Sequence, residues 1–211
     1  MMEAQPIILL NGWPGVGKDT IAETLSLLIG DNKASLLDWG KGRGESFQTI
    51  PDDDEVAQKA QRDACLADQV EHPSTFSKMV ICTDCLSDTP LGMRLARDFE
   101  VVAKRTNRLL IPIYLECQVE ENMRRLQEAE RRVSLKDKIR SPNEAKTVRT
   151  DGGSLFIFKA REGLSINITK MLPHEAALKI LSYIRDSIDR RNEELVNEET
   201  TPLEACEPAW V

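Results

Sequence analysis

Residues 6–20 have the sequence PIILLNGWPGVGKDT, in which an apolar run leads into a glycine-rich loop that ends in Lys18-Asp19-Thr20. The run from Pro6 to Leu10 predicts a short buried strand, and the apolar periodicity that begins at Ile21 predicts a helix. Glycines let the intervening loop curl until successive backbone N–H groups point inward, and with the helix N-terminus these groups form an anion cradle. The stretch therefore predicts a phosphate-binding loop between the first strand and the first helix.

The loop also predicts its ligand, which is a nucleoside triphosphate bound with Mg²⁺. The motif places the ammonium group of Lys18 on the β- and γ-phosphates. We expect ATP as the nucleotide. GTP stays the alternative, because the base is selected by backbone contacts that cannot be recognised in a sequence. The residues expected to hold the nucleotide are Gly12, Trp13, Pro14, Gly15, Val16, Gly17, Lys18, Asp19 and Thr20.

Asp19 departs from the motif, which has a serine or threonine at this position to ligate Mg²⁺. A carboxylate can bind the metal directly or through water, because Mg²⁺ favours oxygen ligands and keeps several waters. Without the metal, the same carboxylate should repel phosphate oxygens. Thr20 can still offer a hydroxyl to the α-phosphate. The site is therefore predicted to be active with unusual magnesium coordination, and the alternative is a degenerate site with weak binding or no turnover.

The length and the net charge of the chain indicate how many domains it forms and which partners it attracts. Its 211 residues suit one α/β domain, predicted over residues 1–190, followed by an acidic, flexible tail over residues 191–211. The net charge of -7 gives no global attraction for DNA, RNA or an anionic membrane. No stretch approaches the roughly 20 apolar residues of a membrane span, and no signal peptide is evident. We expect a soluble, cytoplasmic protein without a membrane partner.

Beyond the loop, apolar runs of strand length alternate with amphipathic stretches of helix length. This alternation is typical of a parallel sheet with helices on both faces. The predicted strands cover residues 34–38, 78–84, 109–115 and 164–168, and the predicted helices cover residues 54–70, 91–107, 119–132 and 173 to about 189. The predicted fold class is therefore α/β.

Two carboxylates end predicted strands, at the edge where ligands of open parallel sheets bind. Asp84 follows an apolar strand and fits a magnesium site, so the predicted metal ligands are Asp19 and Asp84. The alternative role of Asp84 is to cap the following turn. Asp38 ends the second strand and is predicted to be the general base that accepts a proton from a substrate hydroxyl. Asp88 is predicted to be a turn residue or a substrate contact.

A second glycine-rich run follows Asp38 and carries an aromatic ring and two cations. Trp39 is predicted to stack on a flat substrate, and Lys41 and Arg43 are predicted to hold an anionic one. The alternative is an ordinary solvated loop. Arg62, on the predicted helix 54–70, is a further candidate phosphate ligand.

Residues 124–149 contain a local excess of cations in this acidic chain. Such a segment can close over a transferring phosphate, where arginines compensate charge and the closed segment excludes water. We predict a lid over about residues 129–150, in which Arg131 is the first and Arg140 the second candidate for contact with phosphate. With Lys18 and Asp38 they form the predicted catalytic set, whereas the other cations are expected to pair with glutamates on a solvated helix face.

The chain resembles the P-loop kinases of the nucleoside-monophosphate-kinase superfamily over residues 5–188, and within them the AAA-domain or zeta-toxin-like group. That group includes chloramphenicol phosphotransferase, gluconate kinase and polynucleotide-kinase relatives. The resemblance is carried by residues 9–18, by the strand and turn at residues 81–92, and by residues 130–138. It implies a P-loop NTPase three-layer sandwich with five parallel strands, a lid and a substrate-binding segment at residues 39–77. It also implies transfer of the ATP γ-phosphate to a hydroxyl or phosphate acceptor, with Asp38 in the position of a substrate-binding or base carboxylate.

Three functions stay open on this basis. The leading one is an ATP-dependent phosphotransferase that acts on a small-molecule phosphate acceptor. The second is a nucleotide or polynucleotide 5′-end kinase in which Lys41, Arg43 and Arg62 bind phosphate, so that an RNA or DNA end is retained as an alternative partner. The third is a nucleotide-binding regulatory protein in which Asp19 weakens phosphoryl transfer. The identity of the acceptor and the oligomeric state have no sequence signal.

Overall fold

The structure, a computed structural model, describes residues 4–37, 39, 55–132 and 153–200. Within this part the chain forms a five-stranded sheet in the order β2-β3-β1-β4-β5, and neighbouring strands are parallel. The strands are β1 (Ile7–Gly12), β2 (Ala34–Leu36), β3 (Met79–Asp84), β4 (Leu110–Glu116) and β5 (Leu164–Asn167). The sheet and the alternating order of strands and helices confirm the predicted α/β fold class.

The helices follow the strands in the predicted order. They are α1 (Lys18–Ile29), α2 (Glu55–Leu66), α3 (Pro90–Thr106), α4 (Val119–Arg132) and α5 (Pro173–Thr200). A π-helical turn at Ala67–Glu71 continues α2. At the start of α3, the hydroxyl of Thr89 accepts a hydrogen bond from the backbone N–H of Gly92, and Pro90 occupies the first turn. In the described part of the chain, every helix is too short or too polar to cross a membrane.

The last helix is longer than the sequence pattern predicts. Its predicted end is near residue 189, whereas α5 continues to Thr200. The added turns are rich in glutamate and arginine, which are good helix formers, and Nη1 of Arg191 lies 3.8 Å from Oε2 of Glu194 on the same face. The helix therefore enters the segment predicted to be a tail, of which residues 201–211 lie outside the described residues.

Two hydrophobic clusters cover the two faces of the sheet, and β3 shows how they divide its residues. Ile81 belongs to the cluster that includes α1 and α5, whereas Cys82 belongs to the cluster that includes α2 and α3. Successive side chains of a strand point to opposite faces. Thr83 therefore lies on the α1 side of the sheet and Asp84 on the side of α2 and α3.

Candidate nucleotide-binding site

The glycine-rich loop follows the central strand β1 and ends at the first residue of α1. Gly15 and Gly17 have φ angles of 80° and 100°, which lie in the left-handed region that glycine adopts without strain. A Cβ atom at Gly15 would lie 2.3 Å from Cγ of Leu126. Gly17 is the N-cap of α1 and has no side chain to cover the first N–H groups of that helix. Such an open helix N-terminus attracts anions.

Lys18 folds back over this loop. Its ammonium group donates hydrogen bonds to the carbonyl oxygens of Gly12, at 2.8 Å, and Trp13, at 3.1 Å. The side chains of Trp13 and Val16 are buried in the core, so these two residues contribute main chain to the loop. A cationic side chain, curled main chain and a helix N-terminus thus meet at one place, and this combination fits the phosphates of a nucleotide.

Helix α4 braces the loop through two side chains. Asn122 is 1% exposed, and its Nδ2 atom donates to the carbonyl oxygen of Pro14 at 3.0 Å. Arg125 donates from Nη1 to the carbonyl oxygen of Val16 at 2.9 Å. Neither residue was among those predicted for the site. Asn122 lies four positions before the buried Leu126, on the same helix face, and this buried polar position was the signal that could have identified it.

Arg125 also joins the loop to the connection that follows β5. Its Nη2 atom donates to the carbonyl oxygens of Ile168, at 2.9 Å, and Thr169, at 3.2 Å. Its Nε atom donates to Oε1 of Glu121 at 2.8 Å. Hydrogen bonds from Arg124 and Arg125 lower the pKa of Glu121 to about 2. Glu121 is therefore ionised at neutral pH and helps to orient the guanidinium group of Arg125.

The carboxylate of Asp19 accepts a hydrogen bond from a residue of β3. The hydroxyl of Thr83 donates a hydrogen bond to Oδ1 of Asp19 at 2.8 Å. The loop therefore carries the carboxylate in place of the hydroxyl of the motif, and the neighbouring strand supplies a hydroxyl. Thr83 was not among the residues predicted for the site. Its position directly before Asp84 at the strand end was the signal, because neighbouring residues of a strand face opposite sides of the sheet.

Asp84, the second predicted metal ligand, has both carboxylate oxygens engaged on the side of α2 and α3. Its Oδ2 atom lies 2.8 Å from Nη2 of Arg62, and its Oδ1 atom accepts a hydrogen bond from the N–H of Cys85 at 2.8 Å. The contact to Cys85 agrees with the alternative prediction of a turn cap. Asp84 and Asp19 therefore face opposite sides of the sheet and have different partners.

Arg62 and Trp39, predicted to contact substrate, contact each other. The Arg62 guanidinium carbon lies 4.3 Å from the ring centroid of Trp39 and 5.0 Å from that of Phe99. Nε of Arg62 also lies 3.4 Å from Oδ2 of Asp98. The Trp39 ring in turn donates from Nε1 to the carbonyl oxygen of Thr83 at 3.1 Å. This structural cluster occupies the side chains that were expected to bind an acceptor.

The other predicted site residues divide into three groups. Asp88 holds the backbone of a neighbouring segment, since its Oδ1 atom accepts a hydrogen bond from the N–H of Ser154 at 3.0 Å. Arg131 lies in the last turn of α4, and its side chain is not among the described ones. Outside the described residues lie Asp38, Lys41, Arg43 and Arg140, together with most of the predicted lid.

The oxygen atoms present near the loop fit Mg²⁺ bound together with a nucleotide. Among the described residues, no three His, Cys, Asp or Glu side chains form a metal-binding group. Asp19 and Thr83 supply two side-chain oxygens beside the phosphate loop. Mg²⁺ in nucleotide sites takes few protein ligands and completes its shell with phosphate oxygens and waters.

No protein-family model and no curated protein sequence matches this chain. Several solved structures match its fold. A gluconokinase from Sinorhizobium meliloti 1021 has a TM-score of 0.57 at 13% identity, with 95% of this chain and 100% of that chain covered. The APS kinase of Mycobacterium tuberculosis in complex with AMPPNP and APS has a TM-score of 0.54 at 15% identity, with 87% and 99% covered.

A shikimate kinase from Acinetobacter baumannii in complex with shikimate has a TM-score of 0.51 at 20% identity, with 88% of this chain and 96% of that chain covered. These matches extend over nearly the whole length of each solved chain. The five-stranded parallel sheet and its flanking helices are therefore the fold that these three kinases share.

Proposed function

We propose that this protein is an ATP-dependent phosphotransferase that moves the γ-phosphate of ATP to a hydroxyl or phosphate group of a small molecule. The observation that carries the proposal is the loop after β1, where Lys18 lies over two loop carbonyls at the open N-terminus of α1. The likeness to a gluconokinase, an APS kinase and a shikimate kinase supports a small acceptor. The resemblance carried by residues 9–18, 81–92 and 130–138 supports a kinase of the nucleoside-monophosphate-kinase superfamily, in its AAA-domain or zeta-toxin-like group.

In the proposed reaction the acceptor oxygen attacks the γ-phosphorus, the bond to the bridging oxygen breaks, and ADP leaves. Asp38 is our candidate to accept the acceptor proton. Its two neighbours in sequence both bind β3. The N–H of Leu37 donates to the carbonyl oxygen of Ile81 at 2.8 Å, and the ring of Trp39 donates to that of Thr83 at 3.1 Å. These contacts hold the residues on either side of Asp38 against β3, near the edge of the sheet where ligands of open parallel sheets bind.

Mg²⁺, when bound, neutralises phosphate charge and orients the γ-phosphate. We assign its protein ligands, direct or through water, to Asp19 and Thr83. Asp84 is assigned a positioning role instead, because it is already paired with Arg62 and with the N–H of Cys85. Lys18 and the loop N–H groups bind the phosphates. Charge compensation by Arg131 and Arg140, and acceptor binding by Lys41 and Arg43, remain parts of the proposal.

A nucleotide-binding regulatory protein is the second candidate, and the carboxylate of Asp19 is the observation that favours it. A negative charge in the loop opposes the approach of phosphate oxygens unless a metal ion offsets it. Under this alternative, ATP binds with little phosphoryl transfer to any acceptor. Replacement Asp19→Ser then raises turnover, whereas under the leading proposal the same replacement leaves turnover unchanged or lowers it.

The test is calorimetric titration of ATP and of GTP with Mg²⁺ into the wild type, Lys18→Ala and Lys33→Ala. Lys33→Ala is the matched control, since it removes an exposed lysine just before β2, at the opposite end of the sheet. We expect binding that Lys18→Ala abolishes and Lys33→Ala preserves. A phosphorylation screen with mixed hydroxyl and phosphate acceptors follows on the same samples. Binding that survives Lys18→Ala, or the absence of binding, would remove the proposal.

A further inference from the structure

A cavity lies at the end of the sheet opposite the phosphate loop. It has a volume of about 590 Å³ and is lined by residues just before or at the start of β1 and β4, by the end of α3, by residues 160–162 and by the middle of α5. The loop, in contrast, follows the carboxyl end of β1. Ligand pockets of proteins range from about 300 to 1,000 Å³, so this cavity has the volume of a small-molecule site.

The side chains around this cavity have an excess of positive charge, although the chain has a net charge of -7. Two of the lining cations are paired, because Nη2 of Arg190 lies 3.3 Å from Glu162 and Nη1 of Arg191 lies 3.8 Å from Glu194. The remaining cations that line it are Lys104, Arg108 and Arg161, and the remaining carboxylate is that of Glu100, one turn before Lys104 on α3. Five cations and three glutamates thus line the cavity. For Lys104 and Arg161, the structure has no side-chain hydrogen bond or ion pair with any described residue.

Arg108 is the most buried cation of the lining, with 4% of its surface exposed. Its Nη1 atom donates to the carbonyl oxygens of Gln5, at 2.8 Å, and Lys78, at 3.0 Å, and Nη2 donates to the hydroxyl of Thr75 at 2.8 Å. Its Nε atom is buried and has no hydrogen-bond partner. Burial lowers the pKa of Arg108.

The hydrogen-bond partners of Arg108 are all neutral oxygens, and its guanidinium carbon lies 5.0 Å from the ring centroid of Phe76. Within the described part of the chain no carboxylate pairs with it. A buried charge costs free energy unless an opposite charge compensates it. Arginine is rarely buried to this degree without such a partner. A negatively charged ligand in the adjoining cavity would supply the compensation that the described residues do not.

We propose that this cavity binds a small molecule that carries two or more carboxylate or phosphate groups, with Arg108 as the buried cation and Lys104 and Arg161 as further anion-binding side chains. The ammonium group of Lys104 and the guanidinium group of Arg161 can bind both kinds of anion through charge-assisted hydrogen bonds. Arg108 contributes its positive charge, because both of its Nη atoms already donate hydrogen bonds within the protein. The concave shape and limited volume favour a small molecule over a polyanion. This site is independent of the proposed phosphotransferase activity and lies outside the phosphate loop.

The test uses the full-length chain with Lys18→Ala, without divalent metal, so that binding at the phosphate loop is suppressed. Citrate serves as the carboxylate probe and pyrophosphate as the phosphate probe. Binding of each probe is measured by calorimetry and by the chemical shifts of the backbone amides of residues 107–109 and 160–162. The probe that binds shows whether the cavity prefers carboxylate or phosphate groups. Arg108→Gln would also remove three structural hydrogen bonds, so the decisive variant is Lys104→Gln with Arg161→Gln.

The matched control is Lys179→Gln with Arg185→Gln, which removes the same charge from exposed positions of α5 that do not line the cavity. We expect at least one probe to shift the cavity amides and Lys104→Gln/Arg161→Gln to weaken its binding about tenfold or more, with little effect of the control pair. Two results overturn the proposal. One is that neither probe shifts these amides, and the other is that both double variants weaken binding equally, which would show nonspecific attraction.

Discussion

The hydroxyl of Thr83 donates a hydrogen bond to the carboxylate of Asp19 at 2.8 Å, across 64 positions of sequence. In the standard loop motif, a hydroxyl lies on the loop. Here the loop carries the carboxylate and β3 carries the hydroxyl, so a carboxylate oxygen and a hydroxyl oxygen both lie beside the glycine-rich loop. This arrangement explains how a loop with an aspartate at position 19 can still offer oxygen ligands suited to Mg²⁺.

Asp19→Asn should change nucleotide binding in opposite directions with and without metal. Without Mg²⁺, loss of the negative charge should raise the affinity for ATP by about tenfold, because it removes repulsion from phosphate oxygens. With Mg²⁺, the affinity should fall, because a metal ligand is lost. Calorimetry with ATP in EDTA and in Mg²⁺ measures both effects. Equal changes under both conditions would remove Asp19 from the metal site.

Thr83→Val should weaken Mg²⁺-dependent ATP binding and leave metal-free binding nearly unchanged, because the hydroxyl is lost without a change of charge. Thr24→Val is the matched control. Its hydroxyl lies on α1 and donates to the carbonyl oxygen of Thr20 at 2.7 Å, within the helix. Combining Thr83→Val with Asp19→Asn completes a double-mutant cycle, and strictly additive effects would contradict joint action of the two side chains on the metal.

Gly15→Ala should abolish or strongly weaken nucleotide binding. Gly15 has φ of 80°, and a Cβ atom there would lie 2.3 Å from Cγ of Leu126. Gly30→Ala is the control, because Gly30 has φ of 100° and its added Cβ would meet Oδ1 of Asn32 at 3.3 Å, away from the loop. Gly30→Ala should lower the free energy of unfolding by about 1–3 kcal/mol from backbone strain. Gly15→Ala should lower it by more, because the contact with Leu126 adds to the strain. Calorimetry should find ATP binding preserved in Gly30→Ala alone.

Arg62→Met should destabilise the fold more than removal of an exposed arginine. The Arg62 and Asp84 side chains are 12% and 17% exposed, so the replacement leaves a nearly buried carboxylate without its partner. We expect a loss of about 3 kcal/mol in the free energy of unfolding. Arg105→Met breaks the pair with Glu71, in which the arginine is 62% exposed, and should cost less than about 1 kcal/mol. Urea denaturation of the two variants compares these costs directly.

Glu121→Gln should reduce the stability of the protein at neutral pH. The variant should also lose less stability than the wild type when the pH is lowered. Arg124 and Arg125 lower the pKa of Glu121 from the ordinary 4.5 to about 2. The folded state therefore favours the ionised carboxylate. Its contribution is complete above the unfolded-state pKa and is lost as the pH falls from about 4.5 to about 2.

Thermal denaturation between neutral pH and pH 2 measures this contribution. Glu120→Gln is the control, because Glu120 is exposed one position earlier on α4 and has no ion pair with the residues that the structure describes. Parallel curves for the wild type and Glu121→Gln throughout the acid range would show that the interaction contributes nothing to stability.

The sequence allowed the prediction of the strand and helix order, the α/β class and the glycine-rich loop between β1 and α1. These features depend on local information: apolar periodicity distinguishes strands from helices, and glycines mark the turn that curls toward an anion. The end of the last helix was predicted too early, because the polar residues beyond residue 189 lack an apolar stripe but form helix through propensity and local ion pairs.

The partners of the site residues were decided only by the tertiary structure. The strand order places β3 beside β1. Because side chains alternate between the two faces of β3, Thr83 contacts Asp19 on one face and Asp84 contacts Arg62 on the other. A pattern of residue types along the chain identifies a carboxylate at a strand end, but the face it occupies depends on register and on packing against distant helices. The sequence by itself therefore determined the loop and the kind of fold, whereas the folded chain decided which oxygens meet beside that loop, because those contacts join residues far apart in sequence.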